Sequence, residues 1–393
     1  RGDAGRPDRV SGRPLRAAIL PPAPAPYREP LFTALAADPE LDLTVIYQSA
    51  GQASWDAPPG FFATDHAYRA QHLASRQRPR PGRSPIVWPV GLERALSARD
   101  PDVVVAVEYG AASLRALGWC RAHRRAYVIF SDCTPQIDPL LSPLQLALHR
   151  VLARHAERMI VVSSAGRERL RRFGVMADRI VLAPQAGDLA PVRAAVDRAA
   201  REGTSAPAPP PLVILAAGRL VPDKNFTTLI AAVAAAGRSG ARLRLEIAGT
   251  GSAQASLQAT AQDHGIDVAF LGAVAPAEMG ARYARAHVFA LVSTFEPFGV
   301  VVREAVAAGL PIICSATAGA AGDIAREREN AILVDPTDVD QIAGALSALA
   351  DDPQLRMGMA AASRVIDGDD EGADVRGFTQ AIRGAAAARP ARR

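Results

Sequence analysis

Short apolar runs alternate with amphipathic stretches along most of the chain. Leu15–Leu20 is apolar on both faces and ends at Pro21 and Pro22, which predicts a buried strand. Tyr27–Ala37 carries Leu31, Phe32 and Leu35 at helical spacing, and Leu43–Tyr47 reads as a second strand. Residues 48–85 are rich in Gly, Pro, Ser and Arg, show little periodicity, and read as long loops. A helix over Gly91–Ser97 precedes strands at Asp102–Val107 and Ala126–Phe130. Helix Pro143–Ala156, strand Met159–Ser163 and helix Ala165–Phe173 follow.

The stretch Gly203–Pro211 (GTSAPAPPP) reads as a semi-rigid linker, and the alternation restarts after it. Strands are predicted at Leu212–Ala216, Leu243–Ala248, Val268–Leu271, Val288–Leu291, Pro311–Cys314 and Ala331–Val334. Helices are predicted at Phe226–Ala236, Ser252–His264, Pro276–Arg285, Val300–Ala308 and Val339–Ala350, with Asp352–Ile366 and Val375–Ala388 at the end. Strands separated by helices imply parallel sheet and right-handed crossovers, hence an α/β fold. A chain of 393 residues suits two such domains better than one core. The expected organisation is a tail (1–14), an N-terminal Rossmann-like domain (15–202), the linker (203–211) and a C-terminal Rossmann-like domain (212–366). A C-terminal helical segment (367–393) is expected to return to the N-terminal domain. The acidic run Asp367–Asp374 lacks calcium-loop spacing and reads as a solvated loop.

Hydrophobic residues make up 49% of the chain, which excludes a disordered class, and no apolar run approaches the roughly 18 residues of a membrane span. Cys120, Cys133 and Cys314 are far apart and lack CxxC spacing, which fits a reducing, cytoplasmic setting and offers no metal site. The charge is unevenly spread. Residues 1–206 hold 28 Arg against 20 acidic residues, while 207–393 hold 17 basic and 20 acidic. A basic N-terminal half suits an anionic acceptor or peripheral association with the inner face of a membrane. Aromatic residues interleaved with the arginines are scarce, which argues against nucleic acid. Among 45 basic residues, Lys224 is the one lysine. A composition so biased toward Arg singles out this position, because a compact ammonium and a planar guanidinium are not interchangeable at a tight phosphate site.

The chemistry concentrates in the C-terminal half. Gly218-Arg219-Leu220-Val221-Pro222-Asp223-Lys224-Asn225 follows the first strand there, so Arg219 and Lys224 fall at the carboxyl end of a parallel strand, where α/β folds bind ligands. Two cations at that place suit a diphosphate. Gly249-Thr250-Gly251 follows the next strand but has Gln254 at the third glycine position, so a dinucleotide fingerprint fails and a tight turn near the ligand remains. In Phe295-Glu296-Pro297-Phe298-Gly299-Val300-Val301-Val302-Arg303-Glu304 a turn leads into a helix. The amides of Phe298, Gly299 and Val300 form an anion-binding nest at its start. Glu296 and Glu304 can both accept hydrogen bonds from vicinal hydroxyls.

These segments, in the order GRLVPDKN, LEIAGTG, VAFLG, EPFGVVVREAVAAGLPII and AILVDPTD, resemble the family 4 retaining glycosyltransferases over roughly 160 residues. The resemblance implies a GT-B fold, two Rossmann-like domains with parallel sheets facing across a cleft. It implies a retaining, metal-independent transfer of a sugar from a nucleotide-diphosphate-sugar to an acceptor hydroxyl, in glycan, glycolipid or cell-surface polysaccharide synthesis. No cofactor or metal is expected, and the nucleotide-sugar is a substrate. By resemblance, Arg219, Lys224 and Glu296 are catalytic. Gly218, Arg219, Lys224, Gly249, Gly251, Gly272, Glu296, Phe298, Gly299, Val300 and Glu304 bind the donor, with Glu304 on the ribose and the Gly272 turn near the base. The N-terminal half departs from the family: its first loop is PPAPAPYREP, and FSDCTP stands where relatives place a His. Tyr27, Arg28 and Asp132 are the acceptor-side candidates. Gly319–Asp323 (GAAGD) puts a shorter acid where the family shows Glu. Two alternatives stay open: a catalytically silent sugar-nucleotide-binding module, and a GT-B-fold sugar-nucleotide epimerase.

Overall fold

The computed structural model describes residues 13–51, 65–80, 83–203, 211–369 and 371–389. Most of the expected tail and of the expected linker lies outside the described residues. The chain divides into two compact units. One holds the residues up to Phe130, Val151–Met159 and the residues from Phe378; the other holds Ser131–Arg150 and Ile160–Gly377.

The first part of the chain runs β1 (Leu15–Leu20), α1 (Glu29–Ala36), β2 (Leu41–Tyr47), β3 (Ala70–His72), β4 (Ser75–Arg80), β5 (Arg83–Pro89), α2 (Leu92–Arg99), β6 (Val103–Val107), α3 (Ala111–His123), β7 (Ala126–Ser131), α4 (Pro143–His155), β8 (Arg158–Val161), α5 (Ser164–Arg172), β9 (Ile180–Leu182) and α6 (Ala190–Arg201). Seven strands form one sheet in the order β3-β2-β1-β6-β7-β8-β9, and β4 pairs with β5 as a separate hairpin. The pairings of β1 with β2 and β6, and of β6 with β7, are parallel. Central β6 reads VVVAV and is buried throughout, as a strand covered on both faces must be.

The long loops expected over residues 48–85 are corrected here. Among the described residues of that stretch, β3 adds an edge to the sheet and β4 pairs with β5. Local periodicity is weak because β3 is three half-buried residues and β4 is mostly Arg and polar. Helices α3 and α6 lie outside the elements predicted from the sequence; in α3 the apolar contrast between faces is weak.

The second part runs β10 (Leu212–Ala217), α7 (Phe226–Arg238), β11 (Leu243–Ala248), α8 (Gln254–Asp263), β12 (Val268–Gly272), α9 (Pro276–Arg285), β13 (Val288–Leu291), α10 (Val300–Ala307), β14 (Ile312–Ser315), β15 (Ala331–Val334), α11 (Val339–Asp351), α12 (Pro353–Asp369) and α13 (Ala373–Ala387). Its sheet has the order β12-β11-β10-β13-β14-β15 with every recorded pairing parallel. Helix α7 lays Phe226, Leu229, Ile230 and Val233 against this sheet, a stripe at helical spacing. Helix α11 is capped by Asp338, whose carboxylate accepts from the Gln341 amide at 2.9 Å.

The acidic run at 367–374 is the second correction. Asp367 is buried at the end of α12 and meets Arg193 of α6 at 2.8 Å and Arg303 of α10 at 3.4 Å. Asp374, at the start of α13, is also buried, and burial raises its carboxyl above the ordinary carboxylate range. Two arginines supplied by distant helices make burial of Asp367 tolerable, and nothing local in an acidic run reveals them. The later part of α13 belongs to the first compact unit, where Phe378 packs edge-on against Phe130 with ring centroids 4.9 Å apart.

Candidate functional site

In the second sheet the strand order reverses between β10 and β13, so the connections that leave these neighbours part in opposite directions. Open α/β sheets bind ligands at such a point, outside the carboxyl ends of the strands. The two motif loops emerge there. The β10 loop carries Gly218 to Asn225, and the β13 loop carries Thr294 to Gly299. They are tied together by backbone, the Thr294 amide donating to the Asp223 carbonyl at 3.0 Å.

Across these loops the Lys224 ammonium donates to the Glu296 carboxylate. The lysine stem runs alongside Gly218. Asn225 takes a left-handed conformation with φ of 55°, and its side-chain amide donates to the Val292 carbonyl at 3.0 Å and the Pro336 carbonyl at 2.6 Å. It therefore pins the cation loop to two other strand ends. Arg219 is exposed and makes no ion pair among the described residues. Its charge is available at the rim.

The predicted glycines come together as a stack of strand ends. The Gly218 amide donates to the Ala248 carbonyl at 2.9 Å, and the Gly249 amide to the Gly272 carbonyl at 2.8 Å. Backbone approaches so closely here that a Cβ at Gly249 would collide with the Gly218 carbonyl oxygen. Gly251 packs as tightly against Leu220.

Helix α10 starts at Gly299, which has φ of 98°, a conformation that favours glycine. The turn aims the first amides of the helix away from intrahelical partners. Phe298 and Gly299 are buried, Val300 is half-buried, and no backbone bond uses the Phe298 or Gly299 amide among the described residues. Glu296, just before the helix, is buried beside these amides. Its charge joins burial in pushing the Cys314 thiol up to about 12, so that cysteine stays a neutral core residue.

Glu304 lies on the same helix, half-buried, and accepts from the Tyr283 hydroxyl at 2.7 Å. Burial holds its carboxyl above the ordinary range, and the tyrosine hydrogen bond works against that shift. Tyr283 comes from α9, and no spacing in the sequence pairs it with Glu304. Asp323 accepts from both the amide and the hydroxyl of Ser164, at 2.6 and 2.7 Å, so this shorter acid is engaged at the start of α5.

In the first sheet the corresponding reversal falls between β1 and β6. Tyr27 and Arg28 lie in the loop after β1. Arg28 is buried, with its guanidinium carbon 5.1 Å from the Phe130 ring centre and 5.6 Å from that of Tyr27. Asp132 follows β7 and is half-buried. A polar network missed by sequence reading sits beside Arg28. Glu29 accepts from Tyr68 at 2.8 Å and Tyr47 at 3.2 Å, and pairs with His66 at 3.0 Å. His66 in turn meets His72 at 3.2 Å. The residues come from α1, β2, β3 and the segment before β3, the last two within the stretch where weak periodicity predicts loop.

Two α/β sheets, each with a reversal point, and a cation–carboxylate pair beside a helix start define a GT-B glycosyltransferase architecture. Solved structures share the fold. Anabaena HepE in complex with UDP and glucose matches with TM-score 0.71 at 19% identity, covering 95% of this chain and 100% of that one. Sucrose-phosphate synthase from Thermosynechococcus elongatus matches with TM-score 0.73 at 20% identity and the same coverage. The family description "Glycosyl transferase 4-like domain" matches residues 23–186, and "Glycosyl transferases group 1" matches residues 198–365. The chain belongs to the family 4 glycosyltransferases.

Among curated relatives, it is 33% identical over 160 residues to the GDP-mannose-dependent alpha-(1-6)-phosphatidylinositol monomannoside mannosyltransferase of Mycobacterium tuberculosis, 38% of this chain and 41% of that protein. It is 33% identical over 224 residues to D-inositol 3-phosphate glycosyltransferase of Pseudarthrobacter chlorophenolicus, 55% of this chain and 53% of that protein. These matches span about two fifths to one half of the relatives' length.

Proposed function

We propose that the chain is a retaining, metal-independent glycosyltransferase that moves a hexosyl group from a nucleotide-diphosphate-sugar to an acceptor hydroxyl, in glycan, glycolipid or cell-surface polysaccharide synthesis. The observation that carries this reading is the Lys224–Glu296 pair at the reversal point of the second sheet, beside the uncommitted amides of α10. Relatives named for GDP-mannose and a structure holding UDP and glucose support an activated-sugar donor.

Arg219 and Lys224 take the diphosphate and offset the charge that grows on it as the glycosidic bond breaks. These two cations supply the stabilisation that other transferases draw from a divalent ion. Glu296 and the amides of Phe298 and Gly299 hold the sugar, Val300 adds its amide to the nest, and Glu304 accepts from the ribose. The stacked glycines Gly218, Gly249, Gly251 and Gly272 let the nucleotide lie against backbone. The acceptor oxygen bonds to the anomeric carbon on the face the leaving group departs from. The nucleoside diphosphate leaves, and the acceptor proton passes to its terminal phosphate oxygen. Tyr27, Arg28 and Asp132 are assigned to the acceptor side. The basic N-terminal half meets an anionic membrane surface, and nucleic acid is not among the expected partners.

A thermal-shift screen with UDP-, GDP- and ADP-sugars identifies the donor, because a ligand at about 100 times its Kd stabilises the native state by roughly 2.7 kcal/mol. Transfer to a hydroxyl acceptor with retained anomeric configuration, unaffected by chelator, is the expected result. Binding without transfer or hydrolysis would make the chain a silent module, and an epimerised sugar product would make it an epimerase.

A further inference from the structure

The β4–β5 hairpin carries an unusual outward face. Its register sets Arg76 opposite Trp88 and Arg78 opposite Ile86, so these four side chains share one side of the ribbon. At the alternate positions Gln77 and Val87 are half-buried and Pro89 is buried, so the other side lies on the protein. Half-exposed antiparallel ribbons ordinarily turn polar residues outward. Here Ile86, Trp88 and Val90 are 44%, 49% and 47% exposed, and Leu114 on α3, which packs against β5, is 47% exposed. Arg76 and Arg78 are exposed, and neither makes an ion pair among the described residues. Between Asp65 and Glu93 the sequence has five Arg and no acidic residue. The Trp88 ring is held in place by Arg115, whose guanidinium carbon lies 4.9 Å from the ring centre while it donates to the Pro89 carbonyl at 2.6 Å.

We infer that this face docks on an anionic phospholipid bilayer, with Arg76 and Arg78 on lipid phosphates and Ile86, Trp88, Val90 and Leu114 in the boundary between headgroups and acyl chains. The inference rests on the proposed meeting of the basic half with a membrane, and it names the surface. Each part of the face finds its natural medium there. An indole with one polar edge settles at a lipid–water interface. Aliphatic side chains gain by leaving water, and guanidinium groups pair with phosphate oxygens in a negative surface potential. A nucleic acid would satisfy the two arginines but leave three aliphatic side chains in water and find a single aromatic to stack on.

The test is co-sedimentation of the full chain with vesicles of phosphatidylglycerol and phosphatidylcholine, and with phosphatidylcholine alone. The wild type is expected to bind the anionic vesicles and to be released by high salt. The variant R76Q/R78Q is expected to bind roughly 30-fold more weakly, as for two charges near an anionic surface. The variant I86S/V90S is expected to lose most binding at unchanged charge, with its thermal unfolding showing that the fold is kept. Trp88 fluorescence is expected to shift to the blue on binding. Lys224→Ala is expected to bind vesicles as the wild type does, which separates this surface from the donor site. Vesicle binding unaffected by either double variant would overturn the hairpin assignment and leave the membrane reading standing. No vesicle binding at all would overturn both. A dimer dispersed by I86S/V90S, or binding of an oligonucleotide in place of vesicles, would assign the face to another occupant and overturn the inference.

Discussion

Lys224 and Glu296 stand 72 positions apart in the chain and meet as a hydrogen-bonded ion pair where two neighbouring strands send their connections in opposite directions. Both side chains are largely enclosed, with 16% and 10% exposure. The carboxylate keeps the one ammonium of the chain aimed at the strand ends. On the proposed function, a diphosphate that takes over the ammonium would free the same carboxylate to accept from a sugar hydroxyl.

Replacing Lys224 by Ala is expected to lower kcat/KM by roughly 30- to 150-fold, the ~2–3 kcal/mol of a lost charge-assisted contact. Lys224→Arg should recover part of this, because a planar fork does not reproduce a compact point charge. Initial-rate kinetics with the donor found by thermal shift measure it. Unchanged kinetics would remove Lys224 from the site.

Glu296→Gln separates the two roles of the carboxylate. Freed from its counter-charge, Lys224 should hold a nucleoside diphosphate at least as tightly as in the wild type, by titration calorimetry. Transfer should fall on the order of 100-fold through loss of oriented transition-state contacts. Parallel loss of binding and transfer would refute this division.

Glu304 gives a stability signature. Its folded carboxyl sits above the ordinary value of 4.5, with burial as the cause. A raised value means that its stabilising contribution is complete below the unfolded value and is lost as pH rises through the folded one. Glu304→Gln should therefore flatten the fall in urea midpoint on the alkaline side of the unfolded value. Tyr283→Phe removes a donor to the half-buried Glu304 carboxylate and should cost about 1–3 kcal/mol at neutral pH.

His149 acts at the acid end with the opposite sign. Burial, helped by the positive charge of Arg169, pushes its imidazole down to about 4 from 6.5. A lowered value means stability present above pH 6.5 and lost as pH falls through 4. Replacement by Gln should reduce the drop in unfolding midpoint across that window. An unaltered pH profile would show that His149 does not carry the linkage.

Gly249→Ala places a methyl group against the Gly218 carbonyl oxygen, and backbone must shift to admit it. A cost of roughly 1–3 kcal/mol is expected, as for overpacking. Donor affinity should fall with it, since Gly218 and the Lys224 stem lie on the same stack. Calorimetric unfolding with and without nucleotide checks both effects.

The strands and helices after position 212 were legible because short apolar runs alternate there with amphipathic stretches. Helix α9 over Pro276–Arg285 and strand β13 over Val288–Leu291 match the sequence reading residue for residue. The first half was less legible. β3 is short and half-buried, and β5 carries apolar residues on both its inward and its outward side, so neither shows an apolar–polar alternation. The motif residues around Lys224 and Glu296 stood out by residue type and spacing. Tyr283 and Asn225 did not stand out as partners, because their roles come from contacts with distant elements.

The chain's own order of residues determined the α/β alternation, the two motif loops that follow strands, the lone lysine and the glycines at those turns. Those properties are local: a period, a turn residue, a charge beside a strand end. Tertiary structure alone decided that Glu296 faces Lys224, that Tyr283 caps Glu304, that Asp367 is buried between Arg193 and Arg303, and that Ile86 and Trp88 stand outward beside two arginines. Each of these depends on where separate elements pack, and a one-dimensional pattern carries no term for the side chain a distant segment will present.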